Sequence, residues 1–156
     1  IDALSGEGDP RAFRFALPKV KVNPLHTSFS GMKTAAIEAI RAEEQRSGPV
    51  LSKKFQADLA ASFQAGVVRA LRTVAARALE IFPAKQLAVT GGVACNRALR
   101  AAFHDLAEER GVPLFVPPPK YCTDNGAMIA WVGERYLAAG EESPLSLNAL
   151  ARAPLG

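Results

Sequence analysis

The stretch from about Ser52 to Phe82 constrains the fold most. Phe55, Leu59, Phe63, Val67, Leu71, Val74, Ala78 and Phe82 recur there at intervals of three and four, the spacing of a helix with one apolar face. At ~1.5 Å per residue such a helix approaches ~45 Å, enough to run across a whole domain. Ser47-Gly48-Pro49 breaks the chain ahead of it, Ser52 is placed as its N-cap, and Pro83 ends it. Gly66 interrupts the pattern at a cost in helix propensity, which implies close packing, a kink or a tolerated surface position.

Beyond Pro83 the periodicity changes. Gln86 to Thr90 reads as a buried strand that runs into LAVTGGVACN, Leu87 to Asn96. Paired glycines at a strand-to-helix corner either let a ligand approach bare main chain or form an ordinary tight turn. Asn96 to Arg110 follows as a helix with Leu99, Phe103 and Leu106 on its buried stripe and Gly111 just past its end. A second strand, Val112 to Val116, enters the stiff run Pro117-Pro118-Pro119, and a last helix spans Asn125 to about Ala139. Strand, helix, strand, helix in so short a span predicts an α/β fold around a parallel pair. Ligands of open α/β sheets collect beyond the carboxyl ends of the strands, so Gly91 to Asn96 and Thr123 to Gly126 are expected to flank one crevice.

The N-terminal part is less regular. Ile1 to Leu4 reads as a helix turn, and FRFALPKVKV, Phe13 to Val22, reads as an edge strand or extended arm punctuated by Pro18 and Pro24. A helix from Lys33 to about Gln45 places Ala36, Ile37 and Ile40 on one face. The preceding Gly31-Met32-Lys33 is no phosphate loop, because Met32 separates glycine from lysine and the earlier glycine is missing.

At 156 residues and 49% hydrophobic, the chain is long enough for one core of ordinary domain size. No apolar stretch reaches the roughly 18 uncharged residues of a membrane span, and the N-terminus lacks the basic and apolar segments of a signal peptide, so a cytoplasmic location is expected. Cys95 and Cys122 have no CxxC spacing, which favours two reduced thiols over a disulfide framework or zinc knuckle. A net charge of +4, spread over residues such as Arg69, Arg72, Arg97 and Arg100, is compatible with a polyanionic partner without requiring one.

Two corners carry candidate chemistry. Asn96 can donate and accept, which suits a base edge or a ribose hydroxyl, and it equally suits a helix N-cap. Asp124, at a helix start, offers a hard carboxylate ligand for a divalent metal, although one carboxylate needs further ligands. His26 in the polar arm and His104 beside Asp105 read as solvent-facing or structural residues. Neither HExxH nor GxSxG occurs, so zincin and α/β-hydrolase chemistry have no support.

Three segments, SFSGMKT at Ser28 to Thr34, TGGVACNRALR at Thr90 to Arg100 and FVPPPKYCTDNGAMIAW at Phe115 to Trp131, together resemble the C-terminal half of the TsaD family, also called Gcp or YgjD in bacteria and OSGEP in eukaryotes. The resemblance spans the chain and about half of a family member. It implies residues 1–156 as the C-terminal lobe of a two-lobed, actin, hexokinase and Hsp70-like nucleotide-binding (ASKHA) fold, with short parallel strands packed by long helices. The implied activity is transfer of threonylcarbamoyl from threonylcarbamoyl-AMP to N6 of the adenosine next to the anticodon in tRNAs that read ANN codons.

By the same resemblance Asp124 is similar to the metal-binding aspartate, for iron or zinc, while the histidine pair that completes the site belongs to the other half. Asn96 is similar to the asparagine that contacts the adenosine part of threonylcarbamoyl-AMP or ATP, and Asp2 to the aspartate that binds ribose hydroxyls. The implied partners are tRNA and TsaB-like and TsaE-like subunits, with no membrane. The chain by itself is expected to be inactive. Ala94 and Cys95 stand where family members more often have Ser and Ala, a departure that leaves the turn intact. Two other readings are a non-catalytic TsaB-like scaffold and the older family label of O-sialoglycoprotein metalloendopeptidase, which no residue supports.

Overall fold

The computed structural model describes residues 1–16 and 25–148. In chain order its elements are α1 (Asp2–Ser5), α2 (Ser30–Ser47), α3 (Lys53–Ile81), β1 (Leu87–Ala88), a 3-10 turn (Gly92–Cys95), α4 (Arg97–Arg110), β2 (Leu114–Phe115), a second 3-10 turn (Pro119–Tyr121) and α5 (Gly126–Ala138). The chain divides into two compact units, Ile1–Cys122 and Thr123–Gly156, described separately below.

Helix α3 is the axis of the first unit, as its periodicity predicts. Ser52 caps it, its hydroxyl accepting the Phe55 N–H at 3.1 Å, and its 29 residues correspond to about 43 Å at ~1.5 Å per residue. Its apolar surface is wider than the predicted stripe and serves two clusters. Leu59, with Phe55, Phe63 and Val67 beside it, packs with Phe15 and Met32. One helical step round, Val68, Leu71 and Ala75 pack on a second cluster of Val89, Ala94, Leu99, Phe103 and Cys122. The single core expected from length is therefore two clusters sharing one helix. Phe82 leaves the stripe because it is the extended C-cap residue, and it is 59% exposed.

The residues that α3 buries most fully include Ala57, Ala60, Ala61, Ser62, Gly66 and Ala70. Small side chains let other backbone come close. A Cβ on Gly66 would lie 2.6 Å from Met32 Cε and 3.2 Å from Phe15 Cβ, so close packing is the correct reading of that glycine. A Cβ on Gly8 would overlap the Ala57 carbonyl group on α3. Beside it, Asp58 Oδ1 accepts the Asp9 N–H at 2.9 Å, Ser62 Oγ donates to Asp9 O at 3.0 Å, and the Phe13 N–H donates to Ser62 Oγ at 3.0 Å. These bonds dock the segment after α1 on the middle of α3.

The predicted edge strand is not formed by its described residues. Phe13 and Phe15 turn inward to meet Phe55 and Phe63 edge to face, at 5.3 and 5.5 Å between ring centres. The remainder of that reading, with Pro18 and Pro24, lies outside the described residues. Helix α2 extends past both predicted ends, and Met32 is its buried residue, whereas Ile37 is exposed.

The two strands pair in parallel, Leu87 with Leu114 and Ala88 with Phe115. Leu87, Val89, Leu114 and Val116 face the cluster around Phe103, while Ala88 and Phe115 are exposed. The strands are thus buried on one face rather than on both, with the period of two that one-sided cover produces. Gly111 ends α4 at φ 62, its N–H donating to Glu108 O at 3.1 Å, which matches its predicted place.

In the second unit Asn125 caps α5. Its Oδ1 accepts the Met128 N–H at 3.2 Å and its Nδ2 donates to Thr123 O at 2.8 Å. The Arg135 guanidinium lies 5.0 Å from the centre of the Trp131 ring. No helix among the described residues is long and apolar enough to cross a membrane.

Candidate functional site

The glycine corner after β1 has the geometry a ligand-facing turn requires. Gly91 adopts φ 85, which a side chain would strain, and a Cβ on Gly91 or Gly92 would meet nothing within 4 Å. The main chain there is open. It leads through the 3-10 turn to Asn96, whose Oδ1 accepts the Leu99 N–H at 2.9 Å. The N-cap reading of Asn96 is therefore correct, and it occupies one of the two lone pairs of the side-chain oxygen.

The other half of that side chain is turned elsewhere. Asn96 Nδ2 donates to Gln64 Oε1 at 2.6 Å and to Asp2 Oδ1 at 3.3 Å. Asp2 and Asn96, 94 residues apart in sequence, thus meet directly. The second Asp2 oxygen accepts from Arg97 Nε at 3.3 Å. Asp2 reaches this place because α1 is pinned to α3, through Gly8 and through the 2.8 Å bond that Gln64 Nε2 donates to Ser5 Oγ.

These groups rim one cleft of about 440 Å³ in the first unit. Phe63 and Val67 on one side, Val68 and Leu99 on the other, make its apolar floor, and Asp2, Gln64, Gly92 and Asn96 supply its polar edge. The floor lies on the seam between the two hydrophobic clusters, since Phe63 and Val67 belong to one and Val68 and Leu99 to the other. A flat apolar ring fits such a floor, and the rim offers one amide donor and one carboxylate acceptor. A nucleoside has both features.

Arg100 braces the corner from behind. Its Nε donates to Ala94 O, and its Nη2 donates to Pro117 O at 2.9 Å and approaches Cys122 Sγ at 3.6 Å. One planar guanidinium thereby joins the turn after β1 to the proline run after β2. Cys122 is a buried free thiol within this brace, and Cys95 is a half-buried one on the cleft wall.

Asp124 belongs to the second unit. It is exposed, stands one residue ahead of the cap of α5, and makes no hydrogen bond or ion pair among the described residues. Residues 123–148 contain no histidine or cysteine. The carboxylate is free to act as one hard ligand, and its unit supplies no imidazole or thiolate to complete a set. His26 is exposed. His104 groups with Asp105 and Glu108, their donor atoms within 4.8 Å of one another. That grouping follows from one-turn spacing on the exposed face of α4.

Sequence reasoning missed Gln64, Ser5, Arg97 and Arg100 as parts of this site. The available signal for Gln64 was a lone amide between Phe63 and the buried Gly66, in a segment whose other residues are small or apolar.

Comparisons with known proteins extend these observations. The profile of the TsaD family, described as tRNA N6-adenosine threonylcarbamoyltransferase, matches residues 1–131. Curated proteins named tRNA N6-adenosine threonylcarbamoyltransferase are similar along nearly the whole chain. The one from Geobacter sulfurreducens is 41% identical over 155 residues, covering 99% of this chain and 44% of that protein. The one from Anaeromyxobacter dehalogenans is 45% identical over 150 residues, covering 96% and 43%, and that from Synechococcus sp. is 42% identical, covering 99% and 41%. The chain spans about two fifths of the length of these relatives.

Proposed function

Because the chain belongs to the TsaD family, we propose that it holds the nucleotide in an enzyme that transfers threonylcarbamoyl from threonylcarbamoyl-AMP to N6 of the adenosine next to the anticodon in tRNAs reading ANN codons. It forms the C-terminal lobe of an ASKHA-type fold, a reading supported by the helix-rich build around a small parallel sheet. The relatives carry the transferase name, which favours this over a TsaB-like scaffold or an O-sialoglycoprotein metalloendopeptidase. The observation that carries the proposal is the direct meeting of Asp2 and Asn96 over one apolar-floored cleft.

In this reading the Phe63, Val67, Val68 and Leu99 floor takes the adenine ring. The Asp2 carboxylate accepts the ribose hydroxyls, held in place by Arg97. Asn96 contributes its amide donor, while its oxygen caps α4. The attacking N6 amine forms the new bond to the carbamoyl carbon, the bond from that carbon to the phosphate oxygen breaks, AMP leaves, and the amine releases a proton. Asp124 fits a divalent metal, iron or zinc, as one ligand of a set completed by histidines from outside this chain. A metal held there would supply Lewis-acid chemistry, polarising the carbonyl or organising the phosphate. The partners are tRNA and TsaB-like and TsaE-like subunits, in the cytoplasm.

The test begins with calorimetric titration of this chain with ATP. Binding that falls at least tenfold in both Asp2→Asn and Asn96→Asp supports the site, and undiminished binding in either variant removes that residue from it. For the reaction, the chain is combined with the N-terminal part of the Geobacter sulfurreducens relative. Transfer of labelled threonylcarbamoyl to tRNA and bound metal are then compared with Asp124→Ala, and retention of both sinks the assignment of Asp124.

A further inference from the structure

The polar rim of the cleft is one hydrogen-bonded line, and Gln64 is its central link. At one end the Leu99 N–H donates to Asn96 Oδ1 at 2.9 Å. Asn96 Nδ2 then donates to Gln64 Oε1 at 2.6 Å, Gln64 Nε2 to Ser5 Oγ at 2.8 Å, and Ser5 Oγ to the Asp2 carbonyl at 2.9 Å. The ends fix the direction of the whole line, because a backbone N–H can only donate and a backbone carbonyl can only accept. Leu99 turns the Asn96 oxygen toward α4 and so turns its nitrogen toward Gln64. Gln64 must meet that nitrogen with its own oxygen, which leaves its nitrogen for Ser5. Flipping either amide would set nitrogen against nitrogen or oxygen against oxygen.

We infer that Gln64 is a positioning residue: it holds the Asn96 amide nitrogen and the short helix bearing Asp2 in register across the cleft. The inference rests on the nucleoside reading of that cleft, since it says what the register is for. The first hydrogen of Asn96 Nδ2 is fixed on Gln64. The second, on the longer 3.3 Å contact to Asp2, is the one a ligand acceptor can take. The rim therefore presents a donor that cannot rotate into an acceptor, which favours ligands with an acceptor edge at that point. Gln64 also stands between two spaces. A second opening of about 450 Å³, reached past Ser5, Arg69 and Arg72, shares Gln64 and Val68 with the cleft, so loss of the side chain would both free Asn96 and thin the wall between them.

Three variants of the full chain test this, with adenosine as the probe. Gln64→Met keeps an unbranched side chain of similar length and removes both hydrogen bonds. Gln64→Glu keeps the acceptor for Asn96 and loses the donor to Ser5. Asn96→Asp keeps a capping oxygen and loses the amide donor. The first readout needs no ligand: water exchange of the Asn96 side-chain amide protons by NMR. We expect exchange at least tenfold faster in Gln64→Met, unchanged protection in Gln64→Glu, and an unchanged Leu99 backbone amide in both. The second readout is adenosine affinity, expected to fall about tenfold in Gln64→Met and no further when that change is added to Asn96→Asp.

Unchanged Asn96 exchange in Gln64→Met, or losses in affinity that multiply in the double variant, would overturn the inference. If Gln64→Met does not fold, Gln64→Glu decides, and loss of Asn96 protection there overturns it. A wild-type chain that binds no adenosine refutes the nucleoside reading instead, and the positioning role is then judged on the exchange data.

Discussion

A single methyl group at Gly8 should unseat the helix that carries Asp2. The backbone of Gly8 lies outside the left-handed region, so alanine is conformationally allowed there and the penalty is steric. The added Cβ meets the carbonyl group of Ala57 and, at 2.7 Å, the nitrogen of Asp58. These are backbone atoms inside α3 and cannot swing aside. Overpacking of this kind costs about 1–3 kcal/mol, and narrowing the unfolded chain returns about 0.4–1 kcal/mol. The alternative is for the segment to lift away. That forfeits its three hydrogen bonds to Asp58 and Ser62 at about 1 kcal/mol each and strands the Ser62 hydroxyl, which is only 2% exposed. Either route leaves a net loss of about 2 kcal/mol. With a urea dependence of roughly 2 kcal/mol per molar, the unfolding midpoint followed by helical circular dichroism falls by about 1 M. Gly6→Ala is the matched control, because its Cβ would sit an ordinary 3.7 Å from Ala3 O. Equal midpoints for the two variants would refute the close approach of Gly8 to α3.

The cap and the cleft functions of Asn96 separate by substitution. Asn96→Ala should lose the cap, worth about 1 kcal/mol, together with nucleotide binding, whereas Asn96→Asp should keep the capped Leu99 amide and lose the binding, as amide exchange and titration would show. Gly111→Ala, forced to φ 62, should cost about 1 kcal/mol in the same unfolding assay. The Asp9 N–H and the Lys54 ammonium hold the Asp58 carboxyl below its ordinary pKa. Its stabilising contribution is therefore complete above the ordinary carboxylate range and is lost as pH falls through the lower folded value. Urea midpoints followed down through that range should decline less in Asp58→Asn than in the wild type. Asp124→Ala should change the unfolding free energy by no more than about 0.5 kcal/mol, as expected for an exposed and unpaired side chain, while lowering bound metal measured by elemental analysis of the assembled enzyme.

Much of the scaffold was legible because it rests on periodicity and punctuation. The length of α3, its Ser52 cap, the α4 stripe of Leu99, Phe103 and Leu106, the stop at Gly111 and the parallel pairing of the two strands all follow from spacing. What escaped was set by approach distance rather than by hydrophobicity. Ala57 and Ser62 are among the most buried residues of α3 because Gly8 and Asp9 lie against them, and no pattern of large apolar residues records that. In the site, the roles of Asp2 and Asn96 were suggested by family resemblance, and the geometry adds that the two touch. Gln64 left no trace in spacing, since an amide on a long helix reads as solvent-facing until its partners from α1 and the Asn96 corner are placed. The partial exposure of β1 and β2 was likewise hidden, because a short apolar run reads the same whether one face or two are covered.

On the proposed reading of the cleft, the seam beneath it would couple ligand to folding. Phe63 and Val67 answer to the cluster around Met32, and Val68 and Leu99 to the cluster around Phe103, so a molecule seated on all four side chains bears on both at once. Mass action then makes occupancy a stabilising force: ligand at one hundred times its dissociation constant adds about 2.7 kcal/mol to a state that alone can bind it. The two clusters should melt at more nearly the same temperature in the presence of nucleotide than in its absence, with the occupied cleft acting as mortar between them.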